Sequence, residues 1–411
     1  MKKVNRVEQQ IIKRNNPIYK IVDQYCFYSK NVYNQANYII RQEFINNGNK
    51  LSAYDVQKLM QPMDCYKECG SQAAQKTIQL VGKAWESYFK AIKDWKKNPS
   101  KYLGMPKLPK YLPKDGRQVY MLKNIQCSLK DGQFRISFKP FGGYTVKTHV
   151  EGKLMQCRFI PKADHYVMEI VYEIEVPETE NIVSERIAAI DLGVDNLMTI
   201  TTNCGVNPII INGKPLKSIN QYYNKKISEM RSALKLRNDS DWSNEMQRFT
   251  TKRNNQVNDY IQKSTKMVVD FCKNNNIDTL VCGYNSGWKQ ETDMGKRVNQ
   301  KFVSIPYLSI VQRLEYKCEN EGIKFIKTNE SYTSGTSFLD GEEPIEKNYN
   351  KDRRIHRGLF QSEKGEYINA DVNGSYQIMK KVFPKAFVNG IVDAGSHPVV
   401  VNIPLQTANV I

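Results

Sequence analysis

The chain has 411 residues, enough for two or three domains around a sizeable core. Its 61 Lys and Arg against 42 Asp and Glu leave a formal net charge of +19, an excess that argues for a polyanionic partner. Nine cysteines with one close pair (Cys65 and Cys69), four scattered histidines and no long apolar run argue against a disulfide scaffold, a zinc site and a membrane span, and for a reduced cytosolic protein.

In chain order, residues 1–16 are basic and polar and suit one strand. From Pro17 to Asn98 the apolar period is helical: Ile21, Tyr25, Tyr28, Val32, Ala36 and Ile40 recur at three- and four-residue spacing. Leu51–Met60 is a second helical piece and Ser71 opens a third, whose stripe of Ile78, Val81, Trp85, Phe89 and Ile92 packs inward. Its other face carries Gln72, Gln75, Lys76, Lys83 and Lys90, which can touch nucleic acid. Lys97–Arg117 breaks the helix with prolines and glycines and reads as an extended arm. Its Lys101, Lys107, Lys110 and Lys114 suit a phosphate backbone. From Val119 to Val176 short alternating runs with turn residues between them suggest a small barrel.

From Arg186 the pattern becomes α/β. Ile187–Ile200, IAAIDLGVDNLMTI, is a buried strand ending on Asp191, with Gly193 turning into a hairpin. A strand at 208–211 follows, and then a basic helical segment over 218–276. Buried strands at 277–282 and 323–328 flank a helix over 305–320, and 368–383 opens a last helix on Asp371. Residues after Pro384 are weakly patterned and read as a loose tail. The fold class is α+β and multidomain: a helical lobe inserted in a small barrel, then an RNase H-like α/β domain with a helical insertion. Asp191 at a strand end, Glu330 beyond another and Asp371 at a helix start are the acids such a core places together. Carboxylates of this kind hold two divalent cations for phosphodiester hydrolysis, and hard oxygen ligands select Mg2+ or Mn2+.

Four stretches carry a resemblance to a known family: IAAIDLGVDNLMTI, VCGYNSGWKQ, the run from FVSIPYLSIVQRL to TSFLDGEE, and INADVNGSYQIMKKV. They resemble TnpB, the OrfB-type transposon-encoded proteins related to compact type V CRISPR nucleases. The resemblance extends to SQAAQKTIQLVGKAWESYFKA and GMPKLPKYLPK and so spans nearly the whole chain. It implies an RNA-guided DNA endonuclease with a transposon-end or CRISPR-type guide RNA and a double-stranded DNA target. The sequence does not fix the oligomeric state; a monomer is the expectation, acting in a bacterial cytosol. The implied domains are a wedge barrel over 1–16 and 99–180, a recognition lobe over 17–98, a RuvC domain over 181–383 with a helical insertion at 217–276, and a tail at 384–411.

Two departures stand out. The usual glutamate at the end of the second RuvC strand falls on Gly283, and Glu330 stands where the usual pattern has no acid. This resembles a subgroup with a relocated glutamate, and a nuclease-dead DNA-binding repressor is the alternative. The usual zinc ribbon between the last two acids has no cysteine here, so no structural zinc is expected; Arg353, Arg354 and Arg357 are expected to form a basic loop instead. By the same resemblance Tyr54, Gln75 and Asn124, with Lys76 beside them, match the positions that read the target-adjacent motif.

Overall fold

The computed structural model describes residues 1–238, 241–285, 304–356, 358–387 and 398–404. The chain divides into two units, residues 3–175 and residues 1–2 with 176–411. Among the described residues no helix is long and apolar enough to cross a membrane.

The first unit opens with β1 (Lys2–Ile12), whose side chains alternate between exposed and half-buried. The helices α1 (Tyr19–Asn47), α2 (Ala53–Met60), α3 (Asp64–Cys69) and α4 (Ser71–Lys97) follow. Helix α1 stops at Gly48, whose φ of 68° lets its N–H turn back to the Phe44 carbonyl. Helix α2 starts on a capping box in which Ser52 and Asp55 satisfy each other's N–H groups. Ala73, Ala74, Thr77, Ile78, Val81 and Trp85 form the buried stripe of α4, and the Ser29 and Thr77 hydroxyls, 2.9 Å apart, join α1 to it. The strands β2 (Tyr120–Lys123), β6 (Lys153–Pro161) and β7 (Tyr166–Val176) pair with β1 in the order β1-β7-β6-β2. A separate three-stranded sheet holds β3 (Cys127–Lys130), β4 (Gln133–Ile136) and β5 (Thr145–Lys147). Asp131 and Gly132, both at positive φ, make the two-residue turn between β3 and β4.

The second unit is built on a six-stranded sheet. Its strands are β8 (Ile187–Leu192), β9 (Asn196–Thr202), β10 (Ile209–Asn212), β11 (Thr279–Gly283), β12 (Lys324–Thr328) and β15 (Val399–Val401), in the order β12-β11-β8-β9-β10-β15. Strands β12, β11 and β8 run parallel, and β8, β9 and β10 form an antiparallel meander. Helices α5 (Lys214–Asn238) and α6 (Asn244–Asn274) form a basic pair, and α7 (Tyr307–Asn320) lies between β11 and β12 in sequence. A small hairpin, β13 (Leu359–Gln361) and β14 (Tyr367–Asn369), leads into α8 (Ala370–Val382). The strand β15 pairs parallel to β10, so the segment expected to be a loose tail contributes an edge strand. Its short Val run carries no periodicity of its own and gains a partner only from β10.

The period-two alternation of β8 sorts its two faces. Ala188, Ile190 and Leu192 share a core with α6 and α7, whereas Ile187 and Ala189 pack with Val281 of β11 and Ile378 and Met379 of α8. Asp191 has the parity of Ile187 and Ala189 and therefore belongs to the α8 face.

Candidate active site

The three parallel strands deliver their carboxyl ends to one place. The last registered pair between β8 and β11 is Ile190 with Cys282, so Asp191 and Gly283 are the next residue on each strand. Gly283 in turn pairs with Thr328 of β12, and Glu330 lies two residues further on. The open carboxyl edge of a parallel sheet is where ligands of α/β folds collect.

Glu330 is folded back over this edge. A Cβ built on Gly283 would lie 3.1 Å from Glu330 Oε2 and 3.3 Å from its Cβ. The space that a side chain at Gly283 would fill is therefore occupied by the Glu330 carboxylate. Three contacts fix the backbone around it: the Glu330 N–H donates to Asn285 Oδ1 at 3.1 Å, the Thr333 hydroxyl donates to the Glu330 carbonyl at 2.7 Å, and Lys381 Nζ donates to the Ser331 carbonyl at 2.8 Å. Tyr332, at φ 70°, makes the sharp turn that follows. Glu330 Oε2 is itself buried without a hydrogen-bond partner.

Asp371 comes from the first turn of α8, where the Asn369 side chain caps the helix by accepting from the N–H groups of Asp371 and Val372. Its carboxylate is engaged: Asn196 Nδ2 donates to Oδ2 at 2.6 Å and Arg354 Nη2 to Oδ1 at 3.0 Å. One turn later, Gly374 lets α8 approach β8, because a Cβ there would stand 2.9 Å from Asp191 Oδ2. The Ser375 hydroxyl completes that contact by donating to the Ala189 carbonyl at 2.9 Å.

The electrostatics follow from this crowding. Burial first, then the charges of Asp371 and Glu330, push the Asp191 carboxyl well above the usual range, with Arg354 opposing. Burial lifts Glu330 to about 7, against the pull of Lys381. Both shifts favour the protonated carboxyl where no positive charge is bound. A buried Asp191 that feels the charges of Asp371 and Glu330, with one buried Glu330 oxygen unpartnered, belongs to a donor set suited to hard divalent cations. Among the described residues, however, no group of three or more His, Cys, Asp or Glu side chains is already arranged as a metal cage. The ion pair of Arg354 with Asp371 holds one of the three carboxylates.

Two family models match segments of this part of the chain. The OrfB family model, described as a probable transposase, matches residues 169–289, which include Asp191. The model of the Cas12f1-like TNB domain matches residues 307–378, which include Glu330, Arg354 and Asp371. These two segments are similar to the OrfB-type transposases and to the Cas12f1-like proteins. No curated protein matches significantly. A solved Cas12f1–sgRNA–target DNA complex is similar at 17% identity and TM-score 0.37, over 91% of this chain and 98% of that one. A CRISPR–Cas12f ternary complex is similar at 15% identity and TM-score 0.37, over 87% and 80%. A Cas12i–crRNA complex gives 9% identity and TM-score 0.31, over 90% and 67%. The assignment rests on the two family models.

The other residues singled out in the sequence lie as follows. Tyr54 is exposed on α2 with Lys58 Nζ 4.5 Å from its ring, and Gln75 and Lys76 are half-buried on α4. These two helices touch where Gly82 meets Ala53. Asn124 is exposed at the turn after β2. Lys107, Lys110 and Lys114 are exposed, as is Lys101, which lies 3.7 Å from Asp94. Arg353 faces inward and pairs with Glu342 at 2.6 Å, with Asp340 and Glu363 each at 4.0 Å. Arg357 lies outside the described residues. Sequence reasoning missed Asn196 and the contact of Arg354 with Asp371. A polar residue at the start of β9, in the turn beside Asp191, was the available sign of the first.

Proposed function

We propose that the chain is an RNA-guided endonuclease that cuts double-stranded DNA beside a short protein-read motif. On this reading the second unit is a RuvC domain spanning 181–383 with its helical insertion at 217–276. The wedge barrel comprises 1–16 and 99–180, and 17–98 form the recognition lobe. The observation that carries the proposal is the Glu330 carboxylate standing over Gly283, beside Asp191 and Asp371. It supports a site in which the missing family glutamate is supplied from the neighbouring strand.

Asp191, Glu330 and Asp371 would hold two Mg2+ (or Mn2+) ions. When bound, such ions neutralise phosphoryl oxygens and lower the pKa of an attacking water. The chain's own residues prepare this chemistry. The buried, unpartnered Glu330 Oε2 offers a lone pair, and the raised proton affinity of Asp191 and Glu330 would be relieved by bound positive charge. Arg354 must yield an Asp371 oxygen for this to occur, and its freed guanidinium has the fork geometry for a phosphate. The guide is a transposon-end or CRISPR-type RNA, the working state a monomer and the compartment the bacterial cytosol. A guide-directed DNA binder that does not cut is the second reading, favoured by the Arg354–Asp371 ion pair.

The test is plasmid cleavage beside gel shift, with purified ribonucleoprotein and magnesium. Asp191→Ala and Asp371→Ala should lose cutting and keep guided binding. A parent protein that binds its target but leaves it intact would establish the second reading, and a parent that co-purifies with no RNA would overturn both.

A further inference from the structure

The arm between α4 and β2 is neither helix nor strand from Leu103 to Val119, yet its backbone does not hang free. One face of α1 holds it. Lys30 Nζ donates to the Lys114 carbonyl at 2.8 Å. The Asn34 carboxamide pairs with both sides of Leu112, accepting from its N–H at 2.8 Å and donating to its carbonyl at 3.0 Å, as an adjacent strand would. Asn37 Nδ2 donates to the Pro109 carbonyl at 3.1 Å, while its oxygen accepts from Trp85 Nε1 at 2.9 Å. The Arg41 guanidinium lies 5.1 Å from the Tyr111 ring. Residues 30, 34, 37 and 41 recur at helical spacing, so a single stripe of α1 meets the arm, which runs antiparallel to it. Below the stripe, Arg117 closes the arm with a two-point ion pair to Asp23 at 2.9 and 2.8 Å.

Lys30 and Asn37 are buried polar groups, and such groups are retained only where their bonds are made. Here the bonds are made to arm backbone. Leu108, Pro109 and Leu112 turn partly inward, whereas Lys107, Lys110 and Lys114 are exposed. No acid occurs between Asp94 and Asp115. We propose that Lys30, Asn34 and Asn37 are positioning residues that hold the arm as a preformed rail, whose Lys107, Lys110 and Lys114 grip the phosphodiester backbone of a nucleic acid. This rests on the nucleic-acid reading above and adds that affinity depends on α1 residues that never touch the ligand. A rigid row of cations gains affinity over a loose one because its ordering is already complete before binding.

The test compares the parent, Asn34→Ala, Lys107→Ala/Lys110→Ala and the triple variant. Filter binding would use a short mixed-sequence RNA and a duplex DNA, in chelator. Asn34→Ala retains every lysine, yet should bind about 3–10-fold more weakly. Its Leu112 amide should also exchange faster, and adding Asn34→Ala to the double lysine variant, in which only Lys114 of the row remains, should cost less than it costs the parent. The nucleic acid whose binding responds identifies the backbone gripped. If Asn34→Ala perturbs the lobe's circular dichroism, Asn34→Ser, which is uncharged and too short to span both sides of Leu112, replaces it. Faster exchange at Leu112 with unchanged affinity would overturn the rail while leaving the guided-nuclease reading intact. Binding of neither nucleic acid by the parent would overturn both.

Discussion

Replacing Glu330 with glutamine should make the cation-free protein more stable at neutral and alkaline pH, and leave it little changed in acid. Glu330 is lifted from its ordinary 4.5 to about 7 because its carboxylate is desolvated over Gly283. A carboxyl whose folded pKa is raised holds its proton more tightly when folded. Its contribution is therefore fully present below the unfolded value and is lost as pH rises through the folded one. Between 4.5 and about 7, at about 1.4 kcal/mol per pH unit, the folded state loses about 3 kcal/mol, with Asp191 acting in the same direction. Glutamine keeps the shape without the charge and should recover most of that loss. For a unit of this size this is about 6–12 °C in melting temperature near pH 8, shrinking towards zero near pH 4.5. Scanning calorimetry in chelator across that range measures it. Magnesium should narrow the gap between parent and variant at pH 8, because it supplies the positive charge that the parent lacks. Parallel pH profiles for the two proteins would refute the claim that the Glu330 charge is buried at cost.

Further outcomes follow from the other parts of the chain. Lys107→Ala/Lys110→Ala should flatten the log–log dependence of affinity on salt by up to about two units, with sequence preference retained, in filter binding from low to physiological salt. Gln75→Ala should weaken or relax the motif preference in a randomised-motif cleavage library, since glutamine can pair with adenine in the major groove; an unchanged profile would remove Gln75 from the reading surface. Arg353→Met should lower stability by about 2 kcal/mol in denaturant titration, because it strips the cation from the partly buried Glu342 and Asp340 carboxylates.

Much of the fold was legible because its elements are locally consistent. The continuous apolar run IAAI and its abrupt stop at Asp191 mark a strand buried on both faces, and the structure shows β8 packing its two faces into different cores. The stripe from Ile78 to Trp85 likewise became the buried face of α4. Less legible were features decided by distant partners. Val399–Val401 is a strand only because β10 offers an edge. α3 is six residues long, too short for periodicity to show. At the site, the order of Asp191, Glu330 and Asp371 along the chain could be read, but no local pattern says that Glu330 folds over Gly283. The inward turn of Arg353 and the hold of Arg354 on Asp371 were equally hidden, since a run of basic residues looks the same whether it faces solvent or carboxylates.

The proposal that Glu330 supplies the carboxylate missing at Gly283 is tested most directly by a swap. Glu330→Ala is compared with Glu330→Ala/Gly283→Glu in guided plasmid cleavage with magnesium. A side chain at Gly283 meets Ile378 Cδ1 at 2.6 Å, the far end of a flexible side chain that can turn aside, and otherwise enters the space that Glu330 vacates. The single variant should bind its target without cutting it, and the double variant should regain measurable cutting. Cleavage by Glu330→Ala at the parent rate would contradict the proposal.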